Sequence, residues 1–261
     1  MLRAVHTAAT GMEAMQTNID TVANNLANVN TSAFKKSTAE FQDLFYQTLR
    51  EPGATVSPDT QAPTGVQVGV GVKTASVHKD FSQGAARPTN NPLDFLINGN
   101  GFFTVQQENG EIAYTRDGAF KIDAQGRMMT SSGHLLQPPI TIPPGTNGIT
   151  VSPAGMVNVR DAVGNLNQVG QIEIVNFVNP AGLLAKGGSL YQATEASGAP
   201  TQGVPGSPGF GNLEQGQLEA SNVNVVNEMV NMIQAQRAYE MNSKVISAAD
   251  QMLQVSNNVL K

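Results

Sequence analysis

From the amino terminus the apolar positions fall at Met1, Val5, Ala8, Met12, Met15, Ile19, Val22, Leu26 and Val29. Steps of four and three alternate over four heptads, the spacing of a coiled-coil seam on an α-helix. The other positions carry little charge: beside Arg3, Glu13 and Asp20 stand Gln16, Asn18, Asn24, Asn25, Asn28 and several Thr. A helix bathed in water carries more charge on its outer face. Neutral amides and hydroxyls bond to neighbouring protein without the desolvation cost of ions, so this helix is expected to be surrounded by protein. One seam alone is equally compatible with an amphipathic helix packed on its own domain. The carboxy terminus shifts that balance, because Val225, Met232, Ala235, Tyr239, Ile246, Ala249, Leu253 and Leu260 repeat the spacing, with polar Glu228, Asn242 and Ser256 at seam positions. Two such ends predict a discontinuous helical unit, residues 1–45 and 218–261, with the middle of the chain inserted into it. Its expected interface residues are Val5, Met12, Met15, Ile19, Val22, Leu26, Val29, Met232, Tyr239, Ile246 and Leu253.

The middle reads differently. Asn30 to Ala33 is a break, and Ser37 with Glu40 forms a capping box ahead of Phe41, Leu44, Phe45 and Leu49, which predicts a short second helix ending near Arg50. Residues 46–92 then read as an extended arm. Pro52, Pro58, Pro63, Gly53, Gly65, Gly69 and Gly71 favour irregular backbone, while Val66, Val68, Val70 and Val72 alternate as in a strand. Residues 93–196 carry short β runs at 102–107, 111–115, 119–123, 127–130, 140–142, 149–152, 156–160 and 171–176. Asn109-Gly110, Asp117-Gly118 and Gln125-Gly126 separate the first of them, supplying the positive φ that tight hairpins require. A sandwich or partly closed barrel of about eight strands is expected. Gly and Pro crowd residues 197–217, which read as the linker returning to the last helix. The fold class expected is α+β, with terminal helices pairing as a coiled coil around a mainly antiparallel β domain.

Composition then excludes function classes. With 13% charged residues and a net charge of −5, the chain lacks the basic face that displaces counterions from phosphate, so no nucleic-acid partner is expected. The absence of Cys removes disulfides, thiolate metal sites and Cys nucleophiles together. No run approaches the ~20 apolar residues of a membrane span. Residues 1–10 lack the continuous apolar stretch of a cleaved secretory signal. His6, His78 and His134 lie far apart without ligand spacing, and Gly69-Val70-Gly71 lacks the third glycine of a dinucleotide loop. Glu108, Glu111, Asp117, Asp123 and Glu173 sit beside expected turns and strand ends, where solvated carboxylates are the rule. No cofactor, metal, small-molecule substrate or catalytic residue is therefore expected; a β-domain hydrolase is the weakest reading and a secreted coiled-coil adhesin or translocator with a β head domain the stronger alternative.

Two long motifs give a sharper reading. Residues 23–31 (Ala-Asn-Asn-Leu-Ala-Asn-Val-Asn-Thr) followed by Phe34-Lys35-Lys36 resemble the amino-terminal signature of bacterial flagellar rod and hook proteins, and Ser221 to Val225 through Arg237-Ala238-Tyr239-Glu240 resembles the carboxy-terminal one. Tyr46 to Gly53, Gly99 to Phe103 and Tyr114 to Gly118 extend the likeness toward the distal-rod branch of that family. The resemblance implies an axial subunit, exported by the flagellar type III apparatus without a cleaved signal. It would polymerise in the periplasm into a drive shaft that carries motor torque to the hook. The implied partners are further copies of itself, proximal rod and hook proteins, and the surrounding peptidoglycan and outer-membrane ring proteins. It also implies that Tyr46 to Val66 is an insertion associated with a stiff, straight rod. Relatives often place Gly where this chain has Ala33, so a left-handed residue there would cost about 1 kcal/mol.

Overall fold

The computed structural model describes residues 2–53, 55–57, 60–61, 63–161 and 165–259. Met1, Pro58 and Leu260, and the side chain of Ser256, lie outside what is described. The chain is α+β, with a helix at each end: α1 (Leu2–Ala27) and α2 (Val225–Val259). Two compact units form. The helical unit takes residues 1–27, 37–78 and 224–261; the β unit takes 28–36 and 79–223.

In the helical unit α1 and α2 pack together along their length. They are joined by β1 (Ser37–Asp43), β2 (Tyr46–Arg50), β3 (Thr55–Ser57), β4 (Thr60–Gln61), β5 (Val66–Gly69) and β6 (Val72–Lys79). These strands pair antiparallel as β2 with β5 and β3 with β4, while β1 pairs with β6. The short helix expected after Ser37 is thus corrected to strand. The Asn25 carboxamide accepts from the Ser37 N–H at 2.8 Å and donates to the Ser37 carbonyl at 2.8 Å, so the residue expected to open a helix is held in extended backbone. The valine alternation is real but broken: Gly71, at φ +135, bends the chain between β5 and β6, beside Thr10.

The β unit contains β7 (Ala86–Pro88), β8 (Phe95–Asn98), β9 (Phe102–Gln106), β10 (Ile112–Thr115), β11 (Phe120–Ile122), β12 (Met128–Thr130), β13 (Leu135–Gln137) and β14 (Gly148–Val151). It continues with β15 (Met156–Arg160), β16 (Leu166–Gln171), β17 (Ile174–Asn176), β18 (Leu184–Gly187), β19 (Leu190–Gln192), β20 (Thr201–Gly203), β21 (Asn212–Gln215) and β22 (Gln217–Glu219). The main sheet runs β11-β12-β13-β9-β10-β19-β18, with β17 and β20 added beside β9; β14-β15-β16 form a second sheet. Adjacent side chains on a strand face opposite ways, and Phe102 and Phe103 show it. Phe103 joins Val105, Leu136, Val157, Val159 and Ile174 in the core shared with the second sheet, whereas Phe102 packs with Tyr114, Phe177 and Tyr191 on the other side.

Three sequence expectations change here. Residues 140–142 make a single bridge, Thr141 to Arg127, instead of a strand. The Gly/Pro-rich 197–217 stretch carries β20, β21 and the start of β22, because its ends pair with β17, β8 and β7. Gly118 is required by closeness, since a Cβ there would overlap the Phe95 carbonyl; Gly110 and Gly126 do take positive φ, at 83° and 84°.

Ala33 is left-handed at φ 55 and 1% exposed, held by its N–H donating to the Glu219 carbonyl at 2.8 Å. Relief of about 1–2 kcal/mol of left-handed strain outweighs the ~0.8 kcal/mol of one buried methyl. Ala33→Gly should therefore stabilise the β unit by a few tenths to about 1 kcal/mol, read as a rise in denaturation midpoint; a fall would show that the methyl's packing dominates.

Candidate functional site

Among the described residues no group of His, Asp and Glu could hold a metal, and no helix is long and apolar enough to cross a membrane. What the chain offers instead is helix surface. Within the helical unit Asn242 of α2 lies against Gly11 of α1, and Asn25 of α1 donates to Glu228 of α2 at 3.3 Å. As one position rises the other falls, so the helices run antiparallel.

The inner stripe of α2 is Glu228, Met232, Ala235, Asn242, Ile246 and Ala249, all buried or half-buried. Two polar seam positions thereby find their reason. Glu228 sits in the first turn of α2, where the helix dipole favours an anion, and receives the Asn25 amide. Asn242 occupies the space left by a glycine. Of the residues expected at the interface, Val22 is buried at 4% exposure, while Val5, Met12, Met15, Ile19, Leu26, Met232 and Ile246 are half-buried. Tyr239 and Leu253 remain more open, at 38% and 37%. Val29 falls beyond the end of α1 and belongs to the β unit.

The opposite face of α2 was not anticipated. Val226, Val230, Ile233, Met241 and Val255 are 48–70% exposed, with Arg237, Lys244 and Ala248 in the same stripe. At 100° per residue this stripe lies half a turn away from the inner one. Its 3/4 spacing was legible in sequence but was masked by the stronger inner register. Apolar surface of this extent on a helix marks a protein contact.

The other concentration of chemistry lies in the β unit, where Lys35, Arg116 and Glu219 are 0%, 5% and 2% exposed. Glu219 Oε1 accepts from Lys35 Nζ at 2.6 Å and from the Gly84 N–H at 2.8 Å. Its Oε2 faces Arg116 Nε at 3.1 Å, an ion contact off the hydrogen-bond axis. Lys35 also donates to the Ser82 carbonyl at 2.7 Å, and Arg116 to the carbonyls of Gly99 and Gly101 at 2.8 and 2.6 Å. Burial pushes the Lys35 ammonium below its usual range, and Glu219 pulls it back up. Arg116 is shifted the same way for the same reasons, and burial raises Tyr191. Both cations thus find acceptors within the fold, the arrangement of a structural cluster. The cluster ties the segment entering the β unit to the one leaving it: the Lys36 N–H donates to Asn222 Oδ1 at 2.8 Å, and Asn222 Nδ2 to the Asp80 carbonyl at 2.9 Å.

Comparison with known proteins returns flagellar rod and hook relatives. The family described as flagella basal body rod protein matches residues 6–35, the flagellar hook protein FlgE/F/G D1 domain matches 96–159, and the flagellar basal body rod FlgEFG protein C-terminal family matches 214–259. The flagellar basal-body rod protein FlgG of Buchnera aphidicola subsp. Baizongia pistaciae is 50% identical over 97% of this chain and 98% of its own. Its namesake in Caulobacter vibrioides is 50% identical over 99% of both chains, and that of Borreliella burgdorferi 49% identical over 99% of both.

Proposed function

Since the chain belongs to the flagellar basal-body rod protein FlgG family and is a structural, non-enzymatic protein of the distal rod, we propose that its paired terminal helices are the polymerising element of that rod. Family membership supports self-assembly and contact with hook and other rod proteins. The adhesin reading is not favoured by these relatives. In our reading α1 and α2 pair in coiled-coil fashion, with Val5, Met12, Met15, Ile19, Val22, Leu26, Met232, Tyr239, Ile246 and Leu253 at their seam. The rod crosses the periplasm, its subunits leave through the type III apparatus without a cleaved signal, and peptidoglycan and outer-membrane ring proteins surround it. The observation that carries the reading is the outward apolar stripe of α2, which a lone subunit leaves in water. Contacts of this kind that do not close on themselves generate an open helical tube.

The β2–β5 ribbon is the second element of this reading. Tyr46 and Leu49 on β2 and Val66 and Val68 on β5 are 36–56% exposed, and Arg3 of α1 donates to Gln47 at 2.8 Å. Laid across neighbouring subunits, such an arm would resist the axial sliding that lets a tube bend. Deleting residues 47–64 leaves both helices and should still give tubes, but curved ones by electron microscopy. Equally straight tubes would move stiffness to the helices or the β unit, and absence of tubes would make the ribbon a polymerisation contact.

A further inference from the structure

The outer faces of the two helices carry matched charges. On α1 the stripe facing away from α2 is Ala9, Glu13, Gln16, Asp20, Ala23 and Ala27, every one exposed. On α2 it includes Val230, Ile233, Arg237, Met241, Lys244 and Ala248, also exposed. The acids of the first stand seven residues apart, as do the bases of the second, so both pairs span two helical turns, about 10.5 Å. None of the four charges has an ion-pair partner among the described residues. Asp20 is held by the neutral amide of Gln16, at 3.0 Å.

We propose that the outer face of α1 in one subunit docks on the outer face of α2 in a second copy of this chain, with Glu13 against Lys244 and Asp20 against Arg237. The proposal rests on the self-assembly reading and specifies its register. Copies sharing one axial direction set α1 of one antiparallel to α2 of the next, because the two helices are antiparallel within each. In that sense a single register satisfies both ion pairs. The same register puts Ala9 opposite Ala248, Gln16 opposite Met241 and Ala27 opposite Val230, so two alanines and the Gln16 stem of α1 meet the apolar stripe of α2. It also sets Glu240, which flanks that stripe, level with Thr17, so no two acids meet. Within a subunit Gly11 stands level with Asn242 and Asn25 with Glu228. The intermolecular register is displaced from that one by four residues, about 6 Å along the helix. The contact is heterologous because it joins two different faces, and an axial offset of that kind keeps it from closing into a ring, so growth continues.

The chain has no cysteine, so two introduced thiols report only on each other. A full-length A9C/A248C variant, supplied as the sole copy in flagellated cells, is expected to give a ladder of disulfide-linked multimers on mild oxidation, and each single-cysteine variant none. Charge reversal tests the register independently. E13K/D20K and R237E/K244E should each raise the concentration needed for assembly of the purified chain by about tenfold. The fourfold variant carrying all these changes should return to near wild type, as should an equal mixture of the two double variants, which can pair only with each other. Assembled tubes without a ladder, or double variants that assemble as wild type does, would overturn this contact while leaving the rod assignment intact. Double variants that fail and are not rescued by the fourfold variant or the mixture would also overturn it. A wild-type chain that forms no tubes would count against the assembly reading itself.

Discussion

Glu219→Gln is expected to cost the β unit about 3–5 kcal/mol, the usual penalty for stripping a buried charge of its partner. The carboxylate is the anion between two buried cations, Lys35 and Arg116, and it also accepts the Gly84 N–H. A glutamine of nearly the same shape keeps the packing and leaves two positive charges side by side out of water. Lys35→Met should be milder, because one cation and one anion remain and the main loss is the partner of the Ser82 carbonyl, on the order of 1–3 kcal/mol. Denaturant unfolding followed by the near-ultraviolet signal of Tyr114 and Tyr191, both packed in this unit, separates the two. A Glu219→Gln midpoint equal to wild type, or a Lys35→Met loss larger than that of Glu219→Gln, would show that charge balance is not what the cluster supplies.

Val22→Asp should abolish rod formation while leaving the β unit's unfolding transition in place. Val22 is 4% exposed on the inner face of α1, and an aspartate there would have to bury an ionised carboxylate or take up a proton. The seam already tolerates one acid, which makes the contrast instructive: Glu228 lies at the amino end of α2 and is met by the Asn25 amide. Residue 22 lies inside α1, far from a helix amino terminus that would favour an anion. A loss of about 3 kcal/mol or more in helix pairing is expected. Swimming cells carrying this variant as their sole copy would remove Val22 from any contact the rod needs.

How far the sequence disclosed this molecule depended on whether the deciding partner was local. The 3/4 spacing on both ends gave the helices, and the stripe containing Met232, Ala235 and Ile246 is the one that meets α1. The paired turns at Asn109-Gly110 and Gln125-Gly126 located strands in the β unit for the same reason, since a turn's chemistry is carried by the residues in it. Ser37 to Leu49 misled because its apolar spacing fits a helix, and the group that holds it extended is Asn25, on a different element. The ion cluster was beyond local reading altogether. Lys35, Arg116 and Glu219 come from three distant segments and look like solvated charges in each, although Lys35 and Arg116 lie inside motifs that carried the family resemblance. The second face of α2 was present in the spacing of Val226, Val230 and Ile233, yet a helix apolar on two sides reads as weakly amphipathic until the structure shows which side is covered.

The buried pair also orders events in time. Lys35 and Glu219 stand 184 positions apart, and a ribosome delivers the lysine first. Until the carboxylate follows, the site meant for Lys35 offers it the Ser82 carbonyl but no anion, and Ala33, whose amide bonds to the Glu219 carbonyl, lacks that hold on its left-handed backbone. Strand pairing among residues 102 to 203 can begin earlier, because its contacts lie within that stretch. Closure of the ion cluster cannot, so the β unit finishes folding only when the segment leading into α2 has arrived, and a chain cut short before Glu219 carries the defect of the glutamine variant from the start.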